Sequence, residues 1–177
     1  FEELLGDLYE EYDFENLVQV TDENAFDTAR ELYSLGFAQR INVNITGVEL
    51  FGQYYDEIND SGNVYVYLFS HFAPRNAEYY WAWHSSELWY TFGSLRDIPE
   101  QRDWEEWDYE LADIVTSYWT NFMKTGDPNG EGLAEWLPSN SEQLAYMNFG
   151  EEDTLGCVTD VDELKELMIA YCESIFE

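Results

Sequence analysis

The sequence predicts an α/β fold that is poor in strands and rich in helices, on three observations. Val64-Tyr65-Val66-Tyr67-Leu68-Phe69 is an unbroken run of β-branched, aromatic and aliphatic residues, introduced by the turn formers Asn59-Asp60-Ser61-Gly62-Asn63. Apolar residues at Leu111, Ile114, Val115, Tyr118, Trp119, Phe122 and Met123 recur at three- and four-residue intervals, the period of one helical face. A second such stripe, Leu164, Leu167, Met168 and Tyr171, marks a helix over 161–176 whose apolar face is read as core. Continuous apolarity, rather than alternation, makes 64–69 a central strand buried on both faces and covered by helices.

The remaining elements follow in order. Over residues 1–16, Leu4, Leu5, Leu8 and Tyr9 fall among many carboxylates at helical spacing, which predicts one amphipathic surface helix. Asp22 or Asn24 caps a second helix containing Ala25, Phe26, Ala29, Leu32 and Tyr33, with Gly36 ending or bending it. The stretch 37–58 fits strand and helix alike in places, and helix is preferred. Residues 70–80, with Pro74, read as a loop leaving the strand. The helix from about 104 stops at Lys124-Thr125-Gly126-Asp127-Pro128-Asn129, because glycine accepts a left-handed conformation and proline cannot continue the ladder. Ala145-Tyr146-Met147-Asn148-Phe149 is a second, short strand.

Charge limits the partners. With 7 Lys+Arg against 38 Asp+Glu, the net charge of −31 repels nucleic-acid phosphates and anionic lipid surfaces, so neither nucleic acid nor membrane is expected as a partner. The chain is nevertheless 45% hydrophobic and 18% aromatic, enough apolar surface to offset the entropy of ordering, and its 177 residues fit one domain spanning 1–177. There is no long apolar span. Cys157 and Cys172 lack the clustering of a zinc site, so no metal or other cofactor is expected; a disulfide and two reduced thiols both fit. Asn44-Ile45-Thr46 matches a glycosylation sequon, a triplet that also arises by chance.

Two histidines compete for a chemical role. His84 sits in Trp81-Ala82-Trp83-His84-Ser85-Ser86-Glu87-Leu88-Trp89, flanked by aromatic residues and three positions before a carboxylate, in the region that follows the strand. Imidazole exchanges a proton near neutral pH without a large perturbation, and loops after strand C-terminal ends are where open α/β sheets assemble sites. The competing reading is an ordinary packed histidine. His71, directly after the strand, has no matching carboxylate motif and is assigned a structural or loop hydrogen-bonding role.

Several separated motifs then fall into a familiar order: the strand 64–69; His84-Ser85-Ser86-Glu87-Leu88 with Phe92-Gly93; Ser117-Tyr118-Trp119-Thr120-Asn121-Phe122-Met123-Lys124-Thr125-Gly126-Asp127-Pro128-Asn129; and Trp136-Leu137-Pro138. Over about residues 60–150 the chain resembles the C-terminal part of type B carboxylesterases, the cholinesterase and carboxylesterase family of α/β-hydrolases. Residues 1–59 and the tail match only in character. The resemblance implies the C-terminal part of an α/β-hydrolase fold and makes His84 the general base of a serine esterase triad. Glu87 is not implied as the triad acid; it is expected to anchor the loop by hydrogen bonds. Trp81, Trp83 and Trp89 either wall an acyl or alcohol pocket or are core aromatics.

One departure from the family pattern limits the function. No Gly-x-Ser-x-Gly nucleophile elbow and no Gly-Gly run suited to an oxyanion hole occur in the sequence, although the family order is serine, acid, histidine. A start at Phe1-Glu2-Glu3 without Met also reads as a processed or cut product. The expectation is therefore a segment that hydrolyses small esters only together with an N-terminal segment carrying nucleophile and acid, and that is inactive alone. Two alternatives belong to other classes: a non-catalytic binding or adhesion relative, and an independent acidic interaction module.

Overall fold

A computed structural model describes all residues except 38–43, 59–61, 97–101 and 177. It divides into two compact units, one formed by Phe1–Gly62, Asn140–Leu144 and Thr159–Glu177, the other by Asn63–Ser139 and Ala145–Val158.

The first unit is helical. In place of the single helix expected over 1–16 stand three short ones: α1 (Glu2–Leu5), α2 (Asp7–Glu11) and α3 (Phe14–Leu17). The breaks fall at Gly6 (φ 57°) and Asp13 (φ 47°), whose left-handed backbone interrupts the helical ladder. The turns let the buried Phe14 ring meet those of Phe1, Tyr9 and Phe37, at centroid distances of 5.1, 5.2 and 6.2 Å. α4 (Ala25–Leu32) runs into a π turn at Tyr33–Phe37, and α5 (Ile45–Ile58) takes the helical reading of the ambiguous stretch; the part of it at 38–43 lies outside the described residues. Asn44 and Thr46 are buried, and Asn44 Oδ1 accepts from the backbone N–H of Gly47 in the first turn of α5. The sequon triplet thus serves as helix-start chemistry, with its amide withdrawn from the surface.

The C-terminal helix α9 (Glu163–Phe176) buries Leu167, Met168, Tyr171 and Cys172, with Leu164 half-buried. Gly36 is required where this helix passes, since a Cβ there would lie within 3.0 Å of three side-chain atoms of Met168. Lys165 Nζ donates to Glu49 Oε2 at 2.7 Å and to Thr46 Oγ1 at 3.3 Å, pairing the buried Glu49 carboxylate.

The second unit holds the sheet: β1 (Tyr67–Phe69), β2 (Tyr146–Phe149) and β3 (Gly156–Val158), in the order β1-β2-β3, parallel between the first two and antiparallel between the last two. β3 carries no strand signal strong enough to read from sequence. The strand at 64–69 is shorter and less buried than expected. Only Tyr67–Phe69 pair in the ladder, Val64 makes an isolated bridge to Ser139, and Tyr67 is 39% exposed. The reason is pairing: among the described residues β1 has a partner on one side only, which leaves its other side open.

Short helices α6 (Ala77–Tyr80) and α7 (Leu88–Thr91) interrupt what reads as loop, and α8 (Glu106–Thr125) is the strong helix. α8 begins in a capping box between Glu105 and Asp108 and ends at left-handed Gly126 (φ 77°). Its buried face, Leu111, Ala112, Val115 and Tyr118, packs with Tyr90, Trp136, Met147 and Phe149 as one core. Cys157 in β3 and Cys172 in α9 are free thiols, and burial pushes the Cys172 thiol up to about 11.

Candidate active site

The site is built where the chain leaves β1. The N–H groups of Ser70 and His71 both donate to the Phe149 carbonyl, at 3.0 and 3.1 Å, and the Ser70 hydroxyl pairs with Asn148 Oδ1 at 2.7 Å, so the exit from the strand is tied to the end of β2. Beyond it, Arg75, Asn76, Trp81 and Ser85 adopt positive φ of 65°, 61°, 53° and 73°. Four left-handed non-glycine residues within eleven positions store strain, and such strain persists only where surrounding contacts impose it.

His84 lies inside this strained stretch, between Trp83 and Ser85. Its side chain is exposed, and Nδ1 lies 2.6 Å from Ser85 Oγ. Nε2 makes no hydrogen bond among the described residues, and in the tautomer whose Nδ1–H donates to Ser85 Oγ it holds the ring's lone pair. The turn beneath it is held by the backbone: Ser86 N–H donates to the Trp83 carbonyl at 2.9 Å, Leu88 N–H to Ser85 at 3.3 Å, and the N–H groups of Tyr90 and Thr91 to Glu87 at 3.0 and 2.9 Å. Glu87 makes no side-chain hydrogen bond among the described residues, and its carbonyl does the anchoring instead, because it caps the first turn of α7.

The three tryptophans sit around the loop, each held by contacts of its own. The Trp81 ring stacks on Phe72 at 6.3 Å and 7°, and its Nε1–H donates to the Glu78 carbonyl. Trp83 and Trp89 meet edge to face at 5.6 Å, with the Arg102 guanidinium 4.6 and 4.9 Å from their ring centres, a cation–π contact. An apolar cavity of about 210 Å³ in this unit is lined by Tyr65, Tyr67, Trp119, Phe122 and Trp136, among others.

His71 is the opposite of His84. It is 4% exposed, with Nδ1 2.8 Å from Glu151 Oε1 and Nε2 2.9 Å from Asp108 Oδ1. An ionised carboxylate only accepts, so this pairing favours a proton on each ring nitrogen, the imidazolium form. Burial opposes that charge, but hydrogen bonds to Asp108 and Glu151 outweigh it and raise the pKa. Burial likewise opposes ionisation of Asp108, yet the bonds from His71, Tyr90 and Glu105 N–H hold its carboxyl below the usual range. Tyr90, fully buried, donates its hydroxyl to the same Asp108 oxygen, and burial followed by that carboxylate pushes the phenol strongly upward. With both ring nitrogens engaged by carboxylates, His71 presents no open nitrogen to a substrate.

His71 thus has the hydrogen-bonding role read from sequence, but with two carboxylates that sequence did not connect to it. Asp108 is 37 positions away and Glu151 80, on other elements. The one available signal was the Glu105-to-Asp108 capping-box spacing at the start of α8. Among the described residues no cluster of three His, Cys, Asp or Glu side chains could hold a metal ion, and no helix is long and apolar enough to cross a membrane.

The model of the carboxylesterase family matches residues 7–167. The chain is similar to human bile salt-activated lipase, 34% identical over 94 residues that cover 49% of this chain and 12% of that protein. A duck (Anas platyrhynchos) fatty acyl-CoA hydrolase precursor, medium chain, is 40% identical over 83 residues, covering 44% and 14%. The chain spans about an eighth to a fifth of the length of the curated relatives it matches. A thermophilic PNB esterase superposes with a TM-score of 0.62 over 94% of this chain and 32% of that one, at 20% identity, and a second PNB esterase with 0.61 over 95% and 31%, at 18%. At these identities the likeness is one of fold, that of α/β-hydrolases.

Proposed function

This chain belongs to the carboxylesterase family, and from that premise we propose that it supplies the proton-shuttling histidine, His84, of a serine esterase whose nucleophile and acid lie on an N-terminal segment of the same hydrolase. The carrying observation is the contrast between the histidines: His84 is exposed with Nε2 open, whereas both nitrogens of His71 are bound to carboxylates. In the proposed reaction the serine oxygen attacks the ester carbonyl while Nε2 takes its proton; the imidazolium returns that proton to the leaving alcohol, and water then repeats the exchange to release the acid. A triad carboxylate must reach Nδ1, and Ser85 Oγ, now 2.6 Å from it, rotates away to admit one. This acyl transfer needs no cofactor.

Two further observations support a completing segment. β1 is unpaired on its outer side among the described residues, which leaves backbone donors and acceptors for another strand. The short coverage of the relatives agrees with a chain holding one part of the catalytic apparatus. Trp83 and Trp89, beside His84, are the proposed aromatic contacts for a small ester, with Trp81 shaping the loop that holds them.

The test is hydrolysis of p-nitrophenyl butyrate by the complete protein, or by this chain together with its N-terminal segment. His84→Ala is expected to lower kcat by at least about 10³-fold, as loss of a triad histidine does. Wild-type turnover retained by that variant refutes the assignment; absence of fluorophosphonate labelling in the complete protein favours the non-catalytic binding reading.

A further inference from the structure

α7 cannot hold its own position. Four residues form barely one helical turn, below the length at which a helix is stable alone, yet α7 is the floor on which the His84 turn rests. Its placement must come from outside, and the contacts converge on Tyr90. The Tyr90 ring lies 5.0 Å from Phe69, 5.4 Å from His71 and 6.0 Å from Trp104; its carbonyl accepts from Thr116 Oγ1 at 3.1 Å; its hydroxyl donates to Asp108 Oδ1.

Asp108 accepts three hydrogen bonds. Oδ1 takes the Tyr90 hydroxyl and His71 Nε2–H, while Oδ2 takes the Glu105 N–H at 2.7 Å. One buried carboxylate therefore joins the exit from β1, the start of α8 and α7. His71 is in turn fixed by Glu151 and by its own N–H on Phe149, at the end of β2. The charges that face this group are Asp108, Glu151 and His71, with Arg102 close enough to act on Tyr90.

We propose that Asp108 is a positioning residue for His84, acting through the Tyr90 hydroxyl on α7. Its catalytic consequence rests on the esterase reading; the mechanical coupling between Asp108 and His84 does not. Near-isosteric Asp108→Asn should break the arrangement: with Nδ2 toward Glu105 two donors face each other, and with the amide flipped Nδ2 faces the donors of Tyr90 and His71. Tyr90→Phe is the milder probe, removing one hydroxyl and keeping the packed ring.

The chain has two histidines, so ¹⁵N-histidine labelling of this chain, joined to its unlabelled N-terminal segment, reports on His71 and His84 alone. In Tyr90→Phe, and in Asp108→Asn if it folds, the imidazole signals of both are expected to shift, with that of His84 broadened or split as its loop gains alternative positions. A His84 signal superimposable on wild type, beside a shifted His71 signal, overturns the proposal. In the complete esterase, Tyr90→Phe should lower kcat about tenfold, with KM within about twofold, as small misplacements of catalytic groups do. An unchanged kcat alongside a lowered unfolding temperature would reduce Asp108 to a purely structural residue. Failure of the esterase reading shows separately, as turnover surviving His84→Ala, and the His84 signal then decides the coupling by itself.

Discussion

Replacing Asn129 with Ala should destabilise the sheet-containing unit by about 2–3 kcal/mol, although the residue lies in a turn. Asn129 Oδ1 accepts from Trp136 N–H at 2.7 Å and Nδ2 donates to the Trp136 carbonyl at 3.0 Å, a two-point clamp on the backbone of a residue that is 4% exposed. Trp136 meets Tyr65, Tyr118 and Phe149 edge to face at 5.9, 5.5 and 5.6 Å, and its Nε1–H donates to the Val66 carbonyl, so the clamp sets the largest ring of the core. Each bond contributes about 1 kcal/mol, and a backbone N–H left unpaired in the core adds about 1 more. The assay is urea unfolding followed by tryptophan fluorescence. All seven tryptophans lie between 81 and 136, so the signal reports this unit alone. With a slope near 1 kcal/mol per M for a unit of this size, the midpoint should fall by about 2–3 M. Asn129→Asp keeps the acceptor for Trp136 but sets a carboxylate against Asp127 Oδ1, to which Nδ2 now donates at 2.8 Å; its deficit should be larger at pH 7 than at pH 4. A midpoint within 0.5 M of wild type for the alanine variant, by an estimate on the same slope, would mean that water replaces the clamp and that the reasoning fails.

Stability of the same unit should depend on pH on both sides. The raised pKa of His71 gives stability that is complete below the ordinary histidine value of about 6.5 and is lost as pH rises through the folded value; the lowered pKa of Asp108 gives stability present above the ordinary carboxylate value and lost as pH falls through its folded one. Urea midpoints should therefore be highest in mildly acidic solution, and a His71→Gln variant should lose the alkaline decline; an equal decline in that variant assigns it elsewhere. Gly36→Ala should destabilise the helical unit by about 1–3 kcal/mol, because its Cβ would overlap the Met168 side chain. Thermal unfolding followed at 222 nm tests this, and Met168→Ala in the same chain should relieve part of the loss.

The sequence was legible where one segment carries its own signal. The helix at 106–125, its stop at Gly126, the strand at 146–149 and the last helix follow from spacing and turn chemistry, which act over one or two turns. It was misleading at 64–69, where composition describes what a strand can bury and pairing decides what it does bury: β1 has a neighbour on one side only among the described residues. It was misleading again at 1–16, where a good helical pattern gives way at Asp13 so that Phe14 can reach Phe37, a gain in packing that no local propensity encodes.

By itself, then, the sequence determined the family, the α/β class and the candidate histidine, since each rests on residue identity and short spacing around His84-Ser85-Ser86-Glu87 and Gly126-Asp127-Pro128-Asn129. Only the tertiary structure decided what distinguishes the two histidines. Hydrogen bonding is a property of where side chains meet, and the carboxylates that bind both nitrogens of His71 arrive from 37 and 80 residues away, while His84 keeps one nitrogen open to a proton.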